Sequence, residues 1–169
     1  TGSSLASAAI LETLDRAAAM RNVDLSKAKV AIVGATNAIG QNCALGFLNR
    51  VDTVFLLARN ADRLAELKEF LNAQKSKTNI IDQGPALEDV ITEADLVIFT
   101  TSAIEVPSAA TAKNLKKGAI ICDIPSPRNI AREICDQRKD ILVIDGAVIE
   151  PPPTAQLGLK LPIQDGYIY

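Results

Sequence analysis

The chain reads as an α/β protein built on a doubly wound, six-stranded parallel sheet and preceded by an N-terminal helix. Three observations carry that reading. Short apolar runs such as Val30-Ala31-Ile32-Val33 and Val54-Phe55-Leu56-Leu57 alternate with longer stretches of helical periodicity, the pattern of βαβ units. The apolar residues are almost all aliphatic, with 48% of the chain hydrophobic, 4% aromatic and no Trp. Strands covered by helices on both faces use such residues, because neither face alternates with polar groups. The first run ends in a glycine turn, Gly34-Ala35-Thr36-Asn37-Ala38-Ile39-Gly40, that leads straight into a helical pattern.

The elements follow in order. Over 5–20, Leu5, Ala9, Leu14 and Ala18 recur at helical spacing, with Ser3 or Ser4 as the expected N-cap. After the link Asn22–Ser26, strands are expected near 29–33, 53–58, 79–82, 95–100, 118–122 and 141–145. Helices are expected near 38–49, 61–73, 85–92, 108–115 and 128–138. Right-handed crossovers between parallel strands then give the Rossmann arrangement. A length of 169 residues suits one such domain. We divide it into a helix and link over 1–27, a nucleotide-binding domain over 28–150 and an exit segment over 151–169. Pro151-Pro152-Pro153 marks the last boundary, since proline cannot donate to a strand ladder.

Composition excludes several functions. Net charge is −2 with no basic run, which argues against a nucleic-acid partner. No apolar run approaches the ~20 residues of a membrane span. The polar opening Thr1-Gly2-Ser3-Ser4 is unlike a secretory signal. There is no histidine, so Ser-His-Asp hydrolysis, Cys-His proteolysis and His-ligated metals are ruled out within these residues, and no metal is expected. Cys43, Cys122 and Cys135 are widely spaced and form no C-x-x-C pair, which fits reduced thiols and a cytoplasmic setting.

The glycine turn is the first candidate site. A buried strand, a tight turn and a helix aim unpaired amides and a partial positive charge at a phosphate. Asn37 stands where G-x-x-G-x-x-G has its middle glycine. Asn tolerates positive φ better than other side chains, and its amide is a further phosphate donor. Gly34, Thr36, Asn37, Ala38, Ile39 and Gly40 are therefore candidates for the pyrophosphate of a dinucleotide.

Ligands of such sheets bind beyond the carboxyl ends of the strands. After the second strand, where an NAD-preferring domain carries Asp or Glu, the chain has Arg59, with Arg63 one helical turn on. A guanidinium cannot accept from a ribose hydroxyl but bonds a 2′-phosphate in bidentate fashion, which favours NADP. The alternative is a pair of solvated surface charges. Thr100, Thr101 and Ser102 follow the fourth strand, either along the pyrophosphate and nicotinamide ribose or as turn-forming hydroxyls. Asp123 ends the fifth strand, bonding ribose, orienting substrate or capping its loop. Gly146 ends the sixth, where a missing side chain would let backbone approach the nicotinamide. Cys122 lies either within reach of the cofactor or in the core, where free thiols usually sit. Cys43, spaced with Ile39 and Phe47, is expected in the core.

Taken in order, these segments resemble the cofactor domain of the cyanobacterial long-chain acyl-[acyl-carrier-protein] reductases, a group also labelled predicted amino acid dehydrogenases. The segments are Thr1-Gly2-Ser3-Ser4, Val33-Gly34-Ala35-Thr36 with Ile39-Gly40, Leu57-Ala58-Arg59 with Arg63-Leu64, Ala94-Asp95-Leu96-Val97, Cys122-Asp123-Ile124-Pro125, and Ile144 through Glu150. More remotely the chain is similar to shikimate dehydrogenase-like cofactor domains. The resemblance implies reduction of a fatty acyl thioester, such as one on an acyl carrier protein, to a fatty aldehyde by NADPH. It also implies a nucleophilic cysteine just beyond a segment like Gly166-Tyr167-Ile168-Tyr169, so that these residues alone would bind cofactor without turnover. If Thr1-Gly2-Ser3-Ser4 is native and not the scar of an expression tag, its hydroxyls lie near the nicotinamide or the acyl carbonyl. Two other functions stay open: a dehydrogenase of a small hydroxy or amino acid, and a dinucleotide-sensing module without chemistry. Homo-oligomerisation is compatible with all three.

Overall fold

The computed structural model describes residues 2–101, 113–125 and 132–146. The strands are β1 (Lys29–Val33), β2 (Thr53–Leu57), β3 (Asn79–Gly84), β4 (Leu96–Phe99), β5 (Ile120–Asp123) and β6 (Leu142–Asp145). They form one sheet in the order β3-β2-β1-β4-β5-β6 with every pair parallel. The order reverses direction between β1 and β4, which opens a crevice at their carboxyl ends. The helices are α1 (Gly2–Met20), α2 (Ala38–Phe47), α3 (Ala61–Asn72), α4 (Leu87–Val90) and α5 (Arg132–Gln137). The expectation of six parallel strands behind an N-terminal helix is met.

Each central strand contributes to two cores because its side chains alternate in direction. Val30 and Ile32, Val54 and Leu56, Leu96 and Ile98, Ile120 and Cys122 face one side, against α1, α2 and α3. Ala31 and Val33, Phe55 and Leu57, Val97 and Phe99, and Ile121 face the other, against Leu87, Val90, Ile91, Leu115 and Ile134. Burial of β1, β2 and β4 on both faces explains why they read as continuous apolar runs.

The N-terminal helix keeps Leu14 and Ala18 of its expected face and departs from it at Leu5 and Ala9. Ser7, Ile10, Leu14, Ala17 and Ala18 are buried, whereas Leu5 is 43% exposed and Ala9 is only half-buried. Ser3 and Ser4 are not caps, since the helix already includes Gly2, and the Ser7 hydroxyl donates to the Ser3 carbonyl at 2.6 Å. α1 packs on α2 at Gly46, where an added Cβ would run into Leu11 Cδ1. One turn further along α1, and just past the end of α2, Arg50 pairs with Asp15. Positions 11 and 15 thus match 46 and 50, so the two helices run parallel. Their N-termini stand at the same end of the sheet.

Other boundaries shift modestly. The region 85–92 yields only the four-residue α4, preceded by a turn in which Ala86 N donates to Gln83 O. β5 begins later than expected and carries Asp123 inside the strand. The expected helix over 108–115 lies outside the described residues except for its end, as do 128–131 and the segment 151–169.

Candidate functional site

The glycine turn is fixed by its own backbone and by β4. Gly34 has φ +89°, a left-handed value that side chains rarely adopt, and a Cβ there would lie 2.6 Å from both Thr100 Oγ1 and Thr101 Cγ2. The Gly34 and Ala35 amides both donate to the Leu57 carbonyl, at 2.8 and 3.0 Å. Gly40 serves a different purpose. A Cβ on it would sit 2.5 Å from Gly34 O and 2.8 Å from Ala35 Cα, so glycine here lets α2 start directly against the turn.

Asn37 corrects one expectation. Its φ is −85°, so the residue needs no tolerance of positive φ. It is the N-cap of α2, its Oδ1 accepting from Gly40 N at 2.9 Å. Its amide Nδ2 is turned away from the helix axis and donates to Thr100 O at 3.0 Å and Thr100 Oγ1 at 2.9 Å. The side chain is therefore committed to the protein, and the expected donation to phosphate does not describe this geometry. The first intrahelical bond runs from Gln41 N to Asn37 O at 2.9 Å. The Ala38 and Ile39 amides ahead of it have no intrahelical acceptor and point out of the helix end.

A cleft of about 210 Å³ opens at this end of the sheet, lined by Gly34, Thr36, Asn37, Ala58, Arg59, Asn60, Arg63 and Thr101. Arg59 and Arg63 are exposed, and among the described residues no ion pair involves either. Asn60 positions them: it is the N-cap of α3, and its Oδ1 accepts from Arg63 N at 2.9 Å. The sequence reading passed over Asn60, although an Asn directly before an amphipathic run is a helix-start signal. The cleft thus gathers the glycine turn, the N-cap of α2 and two guanidinium groups, all of which present positive charge or backbone donors.

The other candidates are dispersed. The Thr100 hydroxyl is directed at Val33 O and Gly34 O, at 2.9 and 3.1 Å, so it braces the turn from beneath. Asp123 is buried two strands from β1, and its carbonyl accepts from Gly146 N at 3.0 Å. Gly146 follows β6 beside Ile124, whose Cγ1 would be 3.2 Å from an added Cβ. Neither Asp123 nor Gly146 lines the cleft. Thr1 and Ser102 lie outside the described residues. Cys43 and Cys122 are both buried in the α1–α2–α3 core, where burial pushes each thiol up to about 12. Cys122 therefore joins Cys43 in the core, and neither is an activated nucleophile.

Among the described residues no helix is long and apolar enough to cross a membrane. Known proteins share this architecture. The chain is 30% identical over 154 residues to the long-chain acyl-[acyl-carrier-protein] reductase of Synechococcus elongatus, covering 89% of the chain and 41% of that protein. A dipicolinate synthase subunit from Bacillus halodurans superposes with a TM-score of 0.69 at 20% identity, over 85% of this chain and 47% of that one. Shikimate 5-dehydrogenase from Listeria monocytogenes, solved with shikimate and NAD, superposes with a TM-score of 0.60 at 18% identity, over 80% of this chain and 51% of that one. These two superpositions speak for the fold. The chain thus spans about half or less of the length of each of these proteins. The sequence pattern described as shikimate / quinate 5-dehydrogenase matches residues 16–145, from the later part of α1 to the end of β6. The chain belongs to the shikimate / quinate 5-dehydrogenase family of dinucleotide-binding oxidoreductases and carries its nucleotide-binding domain.

Proposed function

We propose that the cleft binds NADP(H), and that the protein to which this domain belongs reduces a fatty acyl thioester, carried on an acyl carrier protein, to an aldehyde. The observation that carries the cofactor reading is the placement of Arg59 and Arg63 in the same cleft as the Gly34 turn. The pyrophosphate fits the Ala38 and Ile39 amides at the α2 N-terminus, and Thr36 adds a hydroxyl. A 2′-phosphate fits the guanidinium pair, which no carboxylate of the described residues neutralises. When bound, the reduced nicotinamide supplies a hydride.

The acyl thioester reading rests on the 30% identity to the Synechococcus elongatus reductase. The overall conversion takes a thioester, a hydride and a proton to an aldehyde and a free thiol. Neither core thiol suits the attacking role, because burial pushes both up to about 12. The nucleophile is instead a cysteine expected beyond Tyr169; acyl transfer to it releases the carrier thiol, and reduction then frees the cysteine and the aldehyde. Parallel packing on α2 brings Gly2, Ser3 and Ser4 to the end of the sheet where α2 begins. That placement supports a role for Thr1–Ser4 next to the reacting carbonyl. Three widely spaced cysteines with no C-x-x-C pair support a reducing, cytoplasmic setting.

Calorimetric titration of this chain tests the cofactor reading: NADPH binds more tightly than NADH, and R59D abolishes the difference. Equal affinities in the unaltered chain would refute it. The family match over 16–145 favours a second reading, a dehydrogenase of a small hydroxy acid. Assay of the full-length parent separates the two, since the first yields aldehyde from acyl thioesters and the second oxidises hydroxy acids.

A further inference from the structure

The sheet order reverses between β1 and β4, so any dinucleotide in the crevice has one half over β1–β2 and the other over β4–β5. Asn37 spans that line. Its backbone belongs to the α2 start, next to β1, while its Nδ2 reaches Thr100 O and Oγ1 at the end of β4. The Thr100 hydroxyl returns to Val33 O and Gly34 O, and the Thr100 amide donates to Val33 O at 2.9 Å. Thr101, the next residue, lines the cleft. A glycine at position 37 would still allow α2 to begin here but would offer no side chain to β4.

We propose that Asn37 is a positioning residue that clasps the two halves of the crevice and presets the Thr100–Thr101 lip against the glycine turn. This rests on the dinucleotide reading of the cleft. Its consequence is selective. The adenosine 2′-phosphate end meets Arg59 and Arg63 at β2, on the near side of the clasp. The nicotinamide half must pass the lip that the clasp holds. A preset lip spares the nicotinamide half the cost of ordering it, so the clasp contributes to dinucleotide affinity and little to adenine-half affinity.

The test compares NADPH with adenosine 2′,5′-bisphosphate, using the 169-residue chain and its N37S variant. Serine retains an oxygen to cap Gly40 N but has no amide for Thr100. The expected result is that the ratio of the NADPH to the bisphosphate dissociation constant rises about tenfold, the effect of one neutral hydrogen bond. T100V, which removes the hydroxyl partner without changing side-chain size, moves the ratio the same way and serves if N37S does not fold. A ratio unchanged in both variants, with the unaltered chain binding both ligands, would overturn the clasp alone. Failure of the unaltered chain to bind either ligand would overturn the dinucleotide reading, and the clasp with it.

Discussion

The two ends of the sheet handle charge in opposite ways. At the amino end, charges are satisfied internally. Asp95 accepts from the Lys29 amide at 3.0 Å and from Lys116 Nζ at 2.6 Å, while Lys29 Nζ pairs with Glu93 at 2.6 Å. At the carboxyl end, Arg59 and Arg63 flank a glycine turn and a helix N-terminus, and no described carboxylate pairs with them. Both ends are built from the same strands, so the contrast comes from the loops. Internal pairing at one end serves the fold. Positive groups left without an internal partner at the other are what the proposed dinucleotide site calls for.

That contrast makes separable predictions. The largest effect belongs to G34V, which forces a left-handed φ and presses a β-branched side chain on Thr100 and Thr101. Urea unfolding should show a loss of about 3 kcal/mol or more. Next, R59A should weaken NADPH about thirtyfold by calorimetry while shifting stability by no more than about 0.5 kcal/mol. The converse variant at the amino end, D95A, should cost about 2 kcal/mol of stability, because it leaves the part-buried Lys29 amide without its acceptor and breaks the ion pair with Lys116. Its NADPH dissociation constant should stay within about twofold of the unaltered chain's, as expected for a site remote from the ligand. Reduced binding in D95A, or a large stability loss in R59A, would erase the distinction between the ends.

An effect of another kind, a slope with pH, concerns the thiols between them. In the folded chain Cys43 and Cys122 stay protonated up to about 12, whereas an unfolded thiol ionises near about 8.5. Above that value the unfolded state binds fewer protons, so raising the pH favours unfolding, by about 1.4 kcal/mol per pH unit for each thiol. Between about pH 9 and about pH 10.5, a window above the unfolded value and below the folded one, the C43A/C122A variant should show a shallower decline in unfolding free energy than the unaltered chain. Rapid alkylation of native Cys122 in mildly alkaline buffer would instead place that sulfur on the cleft.

The contrast also marks where sequence reading stops. β1, β2 and β4 were legible because burial on both faces leaves an uninterrupted apolar run, a signal each residue carries by itself. The outer elements were less so: α4 shrank to four residues, and the buried stripe of α1 kept Leu14 and Ala18 but took Ser7 and Ile10 in place of Leu5 and Ala9. That stripe is chosen by the partner, with Gly46 admitting Leu11 at one angle and Asp15 meeting Arg50. Within the site, Gly34, Thr36, Asn37, Arg59, Arg63 and Thr101 do converge on one cleft, while Asp123 and Gly146 stand two or more strands away. Position at a strand end says which edge a residue occupies and not how far it lies from the switch point.

Local chemistry alone determined the strand–turn–helix at Gly34, the helix start after Asn60 and the cationic choice at position 59, since each depends on a residue's own dihedral or charge and its near neighbours. Only the tertiary structure decided what Asn37 does with its amide, because its partner Thr100 lies 63 residues away and becomes a neighbour only when β4 pairs with β1. The same long-range closure decided that the hydroxyl of Thr100 supports the turn and that Cys122 is buried in the same core as Cys43. Such contacts follow from the order of strands in the sheet, which periodicity along the chain does not encode.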